Sequence, residues 1–143
     1  MIIVPNKQAF YKLKGSSISG LVLEDEILEI ALDNNKRLLV DMALFRIYDK
    51  RNLYLSGWDC FLGKDFSPYC CGDNLATISM PSVNNLLKNS HIKKVAISRV
   101  GDLSLTLSNQ IYIEVLINCF CKESYYYKLV DGPKEMAVTF YEN

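Results

Sequence analysis

The residues best suited to metal chemistry are the cysteines and the one histidine. Cys70-Cys71 and Cys119-x-Cys121, together with His91, would supply thiolate and imidazole ligands for zinc. Structural zinc sites draw on ligand pairs separated by two to four residues, so that both sulfurs reach one tetrahedral ion. Adjacent and alternate cysteines lack that spacing. We therefore expect no metal site, and we interpret most of the cysteines as small buried hydrophobic residues.

Nucleophilic catalysis is the second chemistry to consider, because His91 directly follows Ser90. A catalytic pair needs an activated nucleophile and a base within hydrogen-bonding distance of each other. No recognisable nucleophile turn and no glycine-rich phosphate loop surrounds these residues. We predict that the chain is not an enzyme, has no catalytic residue and needs no cofactor. His91 is interpreted as a surface or turn residue.

An acidic segment is the first feature that favours binding. Its members are Glu24, Asp25, Glu26, Glu29 and Asp33. The chain as a whole has a formal net charge of zero, which argues against non-specific attachment to nucleic acid or anionic lipid. Placed on one edge of a β protein, the segment would enter the basic substrate groove of a nuclease. The alternative is a set of solvated charges that keep a strand edge from pairing.

Aromatic residues are the second feature that favours binding. Tyr125, Tyr126 and Tyr127 in one strand would place two rings on one face and one on the other. Trp58 lies in a separate, loop-like segment. Tyrosine and tryptophan are enriched at the centres of interfaces, so we predict that these four residues contact a partner. The alternative is that the rings belong to the core of half-buried strands.

The elements that must position these residues are β-strands. Two segments match at an offset of 65 residues, so that Ile27 corresponds to Ile92 and Leu38 to Leu103. Apolar residues alternate within both, which is typical of half-buried strands. Polar turn segments, 33–37 and 98–102, divide each into a hairpin. The pattern predicts internal repeats over about 16–56 and 82–117, each completed by a third strand, at 44–48 and 111–116.

Four further segments complete the predicted fold. Residues 8–13 are interpreted as a lead-in strand, and Ser82 as the cap of a short helix over about 83–89. Segment 57–74 is predicted to be a long connection, and Asp131-Gly132-Pro133 the turn of a C-terminal hairpin over about 124–141. We predict one domain over 1–143, mainly β, with two antiparallel β-meander repeats that form a sandwich or a half-open barrel and one short helix.

Cysteine usage and the N-terminus predict the compartment. The odd cysteine count at adjacent and alternate positions does not fit a secreted disulfide framework. The first residues lack the pattern of a signal peptide, and apolar runs fall short of the roughly 18 residues that a membrane helix requires. We expect a cytoplasmic protein that has no contact with a membrane.

The order of these motifs resembles a group of small bacterial β proteins. Val22 to Val40 and Leu87 to Leu105 follow a shared hydrophobic spacing, and a Tyr-rich strand then enters a Gly-containing hairpin at 125–133. The resemblance covers most of residues 16–140, although this chain lacks the Trp of the group's closing segment. Several such proteins are similar to immunity proteins of contact-dependent growth inhibition or polymorphic toxin systems. The resemblance implies that the chain neutralises a cognate toxin domain, expected to be a nuclease, in the cytoplasm.

Two other functions stay open at this point. A nucleic-acid-binding β module would use the basic residues, and its binding would weaken with salt. These residues are Lys36, Arg37, Arg46, Lys50 and Arg51. A small-ligand or lipid carrier would instead enclose an apolar cavity between its two sheets.

Overall fold

The computed structural model describes residues 2–3, 7–25, 27–41, 44–68, 72–117 and 127–140, with side chains described from residue 7 to residue 135 within those ranges. Eleven strands, two α-helices and one 3-10 helix are found there. In chain order they are β1 (Ile2–Ile3), α1 (Lys7–Tyr11), β2 (Ile18–Glu24), β3 (Ile27–Leu32), β4 (Lys36–Val40), β5 (Leu44–Tyr48), β6 (Leu53–Ser56), the 3-10 helix (Gly57–Phe61), α2 (Leu75–Leu87), β7 (Ile92–Ile97), β8 (Leu103–Leu107), β9 (Tyr112–Leu116), β10 (Tyr127–Asp131) and β11 (Lys134–Phe140).

The strands form two antiparallel sheets. The first has the order β1-β11-β10-β4-β3-β2, and the second has the order β6-β5-β9-β8-β7. The predicted mainly β fold is confirmed, and the described strands do not close into a barrel, so the sandwich is the form adopted. The hairpin turns predicted at 33–37, 98–102 and 131–133 each separate two paired strands.

The core lies between the sheets and follows from the alternation of apolar residues. Leu28, Ile30 and Leu32 of β3 are buried, while the residues between them are only half-buried. The strands β8 and β9 show the same period of two. Inward side chains from both sheets join in one hydrophobic cluster. Each fully buried Leu, Ile or Val contributes about 1.5–3 kcal/mol, so this cluster is the main source of stability.

Helix α2 is longer than the sequence predicts. Asn74 caps its N-terminus, since the Asn74 side chain accepts a hydrogen bond from Thr77 N at 2.8 Å and the Thr77 hydroxyl accepts one from Asn74 N at 3.1 Å. Pro81 lies inside the helix, although its ring removes one backbone hydrogen bond. The helix packs against β2, β6 and the 3-10 helix. The predicted cap at Ser82 is wrong, because Asn74 caps the helix and Ser82 lies inside it.

The lead-in strand predicted at 8–13 is wrong, because this segment forms helix α1 and the turn that follows it. Phe10 and Leu13 are both fully buried. Their spacing of three residues puts both on one face of a helical turn, whereas a strand would place them on opposite faces. Helix α1 packs against β7 of the second sheet.

The chain crosses between the two sheets after β4 and again after β9. Strand β5 follows β4 in sequence but pairs with β9, so that Ile47 lies opposite Ile113. Strand β10 follows β9 but pairs with β4, so that Leu129 lies opposite Leu38. The predicted third strand of the first repeat therefore exists, but it belongs to the other sheet. Each sheet is a three-stranded meander extended by a hairpin from the other half of the chain.

With this exchange, the strands that the two halves contribute follow the same order in the two sheets. The meander β2-β3-β4 corresponds to β7-β8-β9, and the hairpin β5-β6 corresponds to β10-β11. Register shifts occur at equivalent places, between Ile18 and Gly20 and between Ile92 and Lys94. We interpret these matches as an internal duplication with an exchanged hairpin.

Reciprocal backbone hydrogen bonds support the same relation. Ile18 N donates to Ser90 O at 2.8 Å, and Ile92 N donates to Ser16 O at 2.8 Å. Two-fold symmetry generates such reciprocal contacts, in which each of two equivalent segments donates the same hydrogen bond to the other. The offset is 74 residues at Ile18 and Ile92, whereas the sequence alignment used 65 and matched β3 with β7. All these strands share a period of two, so hydrophobic spacing alone does not distinguish alignments that differ by one strand.

Candidate partner-binding groove

The structure distributes the predicted acidic residues over the β2–β3 hairpin. Glu24 and Asp25 are exposed at its turn, and Asp33 is exposed at the far end of β3. Since β3 has six residues, roughly 20 Å separate these two ends. Glu29, in the middle, forms an ion pair with Arg37 at 3.1 Å. Glu26 lies outside the described residues, and the described members do not form one compact patch.

Tyr127 does not contact a partner from the surface, which corrects its predicted role. Its exposed fraction is 0%, and its hydroxyl donates to the Gly101 carbonyl at 2.7 Å. Its ring meets that of Phe10 edge-on, with centroids 5.5 Å apart. Tyr127 is buried because it occupies an inward-facing position of β10, where it pairs with Val40. Burial raises the pKa of Tyr127. Tyr125 and Tyr126 lie outside the described residues.

Trp58 is exposed, as its predicted role requires. It lies in the 3-10 helix, its exposed fraction is 62%, and its ring centroid is 5.6 Å from that of Phe61, which is also exposed. Beside it runs an open groove of about 480 Å³ across the outer face of β5. Its lining includes Leu44, Arg46, Tyr48, Lys50, Leu53 and Trp58. We call this feature the Trp58 groove.

An ordered polar network forms the floor beside this groove. Arg46 donates to Glu114 through Nε at 2.8 Å and Nη2 at 2.7 Å, and the Tyr48 hydroxyl donates to the other Glu114 oxygen. The Arg46 guanidinium lies 5.0 Å above the Tyr48 ring, and Tyr112 lies 5.4 Å from Tyr48 on the neighbouring strand. Four side chains on β5 and β9 therefore hold each other in one arrangement.

This network shifts the pKa values of its members. Partial burial alone would raise the pKa of Glu114, but the hydrogen bonds from Tyr48 and Arg46 and the positive charge of Arg46 outweigh it, so the pKa is lowered. The hydrogen bond to Glu114 raises the pKa of Tyr48, and burial adds to that effect. Glu114 is thus ionised and Tyr48 is neutral at physiological pH.

The β5–β6 turn forms one end of the groove. Asp49 Oδ1 accepts hydrogen bonds from the backbone N–H of Arg51 and of Asn52, both at 2.8 Å, and Oδ2 accepts one from the Tyr54 hydroxyl. The Tyr54 bond, followed by the two backbone bonds, lowers the pKa of Asp49. Lys50 is exposed at the tip of this turn. The turn therefore exposes the positive charge of Lys50 to solvent, while the Asp49 carboxylate is engaged in hydrogen bonds within the turn.

The basic residues considered for nucleic-acid binding are divided between the sheets. Lys36 and Arg37 belong to β4 of the first sheet, and Arg46 belongs to β5 of the second. Arg37 and Arg46 each pair with a glutamate. Together with Lys50 and Arg51 they do not form one continuous track for a phosphate backbone.

A third aromatic ring is exposed on the connection that carries Trp58 and Phe61. Phe66 has a φ of +65° and an exposed fraction of 75%. A bulky residue in this left-handed region costs about 1–2 kcal/mol, and the exposed ring gains no burial in return. Such strain is often found at functional sites, which makes Phe66 a further candidate contact residue beside Trp58 and Phe61.

The His, Cys, Asp and Glu side chains of the described residues bear on the metal chemistry considered above. No group of three or more His, Cys, Asp or Glu side chains placed to hold a metal ion is found among them. His91 is exposed directly before strand β7, and its backbone bridges to Ser17. Cys60 is buried, and the other four cysteines lie outside the described residues.

Within the described part of the chain, no helix combines the length and apolar character needed to cross a membrane.

Comparisons with protein-family models, with curated proteins and with solved structures found no match for this chain. The Trp58 groove is therefore identified as a candidate site by its geometry alone. The sequence analysis missed the Arg46–Glu114 network because its partners are 68 residues apart. The available signal was the alternation in β5, where Leu44, Arg46 and Tyr48 occupy the outward positions.

Proposed function

We propose that this chain is a protein inhibitor of the immunity type, which binds one bacterial toxin domain and covers its active site. The observation that carries the proposal is the Trp58 groove, where an exposed tryptophan lies beside an ordered arginine and tyrosine. Trp, Tyr and Arg are the residues that most often dominate the binding energy of protein interfaces. The role is one of binding, not of catalysis.

The apolar character of the surface supports a protein partner. Trp58, Phe61, Leu44 and Leu53 are all exposed, although burying them would be favourable. Clustered apolar side chains beside polar ones are typical of contact surfaces. Their burial against a partner would supply about 25 cal/mol for each Å² of apolar area removed from water.

The ordered network supports tight binding. Binding usually costs about 0.5–1.5 kcal/mol for each flexible side chain that becomes fixed. Glu114 already fixes Arg46 through two of its nitrogens, so Arg46 would lose little further freedom. A preorganised arginine beside an exposed tryptophan makes this groove the centre of the proposed interface.

The acidic segment has a smaller part in this proposal than the sequence predicts. Its exposed members lie at opposite ends of β3, and Glu29 is paired with Arg37. Reversing Glu24 and Asp25 to lysine therefore tests the earlier idea of an acidic plug separately from the groove. We expect that reversal to change binding less than loss of Trp58.

The experiment measures binding to the toxin fragment encoded immediately upstream of this chain. Wild type and Trp58→Ala are titrated with a catalytically inactivated fragment by calorimetry, and Val100→Ala serves as the matched control because Val100 is an exposed apolar residue in the β7–β8 turn. We expect Trp58→Ala to raise Kd by about 30-fold, as for a hot-spot residue worth about 2 kcal/mol, and Val100→Ala to leave it unchanged. Absence of any complex, or equal Kd values for the three proteins, would refute the proposal.

A further inference from the structure

We infer that the Trp58 groove receives an acidic segment of its protein partner, an inference that rests on the protein-binding role proposed above. Carboxylates of the partner pair with Lys50 and Arg51 at the β5–β6 turn, and apolar side chains next to them pack against Trp58. The charge of this segment is opposite to that of the basic nuclease groove expected from the acidic residues of the β2–β3 hairpin.

The carboxylates in and beside the groove are already engaged in hydrogen bonds. Both Glu114 oxygens accept hydrogen bonds, from Arg46 and from Tyr48. Both Asp49 oxygens accept hydrogen bonds as well. One oxygen of Asp59, in the 3-10 helix, accepts from Ser56 N at 2.9 Å. Few carboxylate oxygens therefore remain to accept hydrogen bonds from a partner.

The N–H donors of the groove are available for hydrogen bonds to a partner. Lys50 and Arg51 are exposed, and neither forms an ion pair with a described residue. Nη1 of Arg46 also makes no hydrogen bond to a described residue, since its contacts to Glu114 use Nε and Nη2. A partner that complements free N–H groups must bring acceptors, and carboxylates form the strongest bonds with lysine and arginine.

The rings and carboxylates of the groove distinguish a protein segment from nucleic acid, which also carries anionic acceptors. A single strand binds where aromatic rings offer open faces along a continuous basic groove. Here Arg46 covers one face of Tyr48, and three carboxylates, those of Asp49, Asp59 and Glu114, lie in or beside the groove. A phosphate on every nucleotide would meet these charges, whereas a peptide can place its few carboxylates at the turn alone.

Trp58 is the only tryptophan of the chain, so its fluorescence reports on this groove. The full-length protein is titrated with two capped hexapeptides in which leucine alternates with glutamate or with lysine, and with a ten-residue oligothymidylate. Protection of Trp58 from acrylamide quenching is recorded at 50 mM and 500 mM salt. The variants are Lys50→Glu/Arg51→Glu and, as matched control on the far strand of the same sheet, Lys93→Glu/Lys94→Glu.

We expect the glutamate peptide to protect Trp58 at a concentration at least tenfold lower than the lysine peptide, and high salt to reduce this preference. The groove variant should lose or invert the preference, while the control variant should keep it. Equal protection by both peptides, protection by neither, or stronger protection by the oligothymidylate would overturn the inference.

Calorimetry with the toxin fragment separates this inference from the proposed function. If the fragment binds wild type and the groove variant equally well, the acidic-segment inference fails and the immunity role stands. If the fragment binds neither protein while the peptide preference persists, the proposed function fails and the chemistry of the groove stands.

Discussion

Replacing Tyr127 with phenylalanine tests how one buried hydroxyl stabilises the sandwich. The variant keeps the ring and its edge contact with Phe10, but it loses the hydrogen bond to the Gly101 carbonyl. Both groups are buried, so the carbonyl is left without this donor. The expected loss is about 1–2 kcal/mol of the free energy of unfolding at pH 7.

The pH dependence of this difference is the sharper part of the prediction. Burial raises the pKa of Tyr127 in the folded protein, while the unfolded chain ionises near pH 10. The stability that the neutral tyrosine contributes is therefore complete below pH 10 and is lost as pH rises above it. Wild type should lose about 1.4 kcal/mol from this group by pH 11, and Tyr127→Phe should lose none. The two proteins should therefore become nearly equal in stability near pH 11.

Urea unfolding followed by far-ultraviolet circular dichroism at pH 7, 9, 10.5 and 11 measures both effects. Tyr48 and Tyr54 also have raised pKa values, but they are present in both proteins and cancel in the difference. Tyr112→Phe is the control, because the Tyr112 hydroxyl makes no hydrogen bond to a described residue. A difference between wild type and Tyr127→Phe that stays constant from pH 7 to pH 11 would refute the reasoning.

Two further predictions concern the groove and helix α2. Glu114→Gln should lower the free energy of unfolding by at most about 1 kcal/mol at pH 7, because Arg46 is half exposed. Since folding lowers the pKa of Glu114, this contribution is complete above the unfolded pKa of about 4.3 and is lost as pH falls through the lower folded pKa. The difference in stability at pH 3 should therefore be smaller than at pH 7, and an equal difference at both pH values would contradict this. Asn74→Ala should cost about 1 kcal/mol through loss of the helix cap, seen as a lower Tm. The control Asn85→Ala, an exposed position in the last turn of the same helix, should leave Tm unchanged. An unchanged Tm for Asn74→Ala would show that the cap is dispensable.

The exchange of hairpins between the two sheets has a consequence for how the fold is stabilised. Leu38 and Ile113 belong to different halves, and each pairs with a strand that the other half contributes. Neither half can complete its own sheet, because the hairpin that follows each meander lies in the opposite sheet. The two halves therefore stabilise each other in the manner of a domain-swapped dimer joined into one chain.

Most of the strands could be predicted from the sequence, since alternation of apolar and polar residues is a local property. Ile30 and Leu32, or Leu103 and Leu105, indicate an inward face wherever the strand lies. The turns could be predicted for the same reason, because Asn34, Asn35 and Gly132 tolerate the positive φ that they adopt. Helix α1 could not be predicted in this way, since Phe10 and Leu13 form too short an apolar pattern to distinguish a helix from a strand.

The candidate site was predictable only in part. Trp58 was identified by residue type, and its exposure agrees with that prediction. Tyr127 was assigned to the surface by the same criterion but is buried, because residue type does not state which face of a strand is inward. The pairing of Arg46 with Glu114 could not be predicted, since no short-range sequence pattern relates two residues on strands that are distant in sequence.

The sequence by itself determined the mainly β class, the hairpins and the apolar face of each strand, because these depend on neighbours within a few residues. Only the tertiary structure decided which strands pair, and it placed β5 beside β9 rather than beside β4. Strands with the same period of two compete for the same partners, and loop closure and core packing select among them. That selection brought Arg46, Tyr48 and Glu114 together beside Trp58.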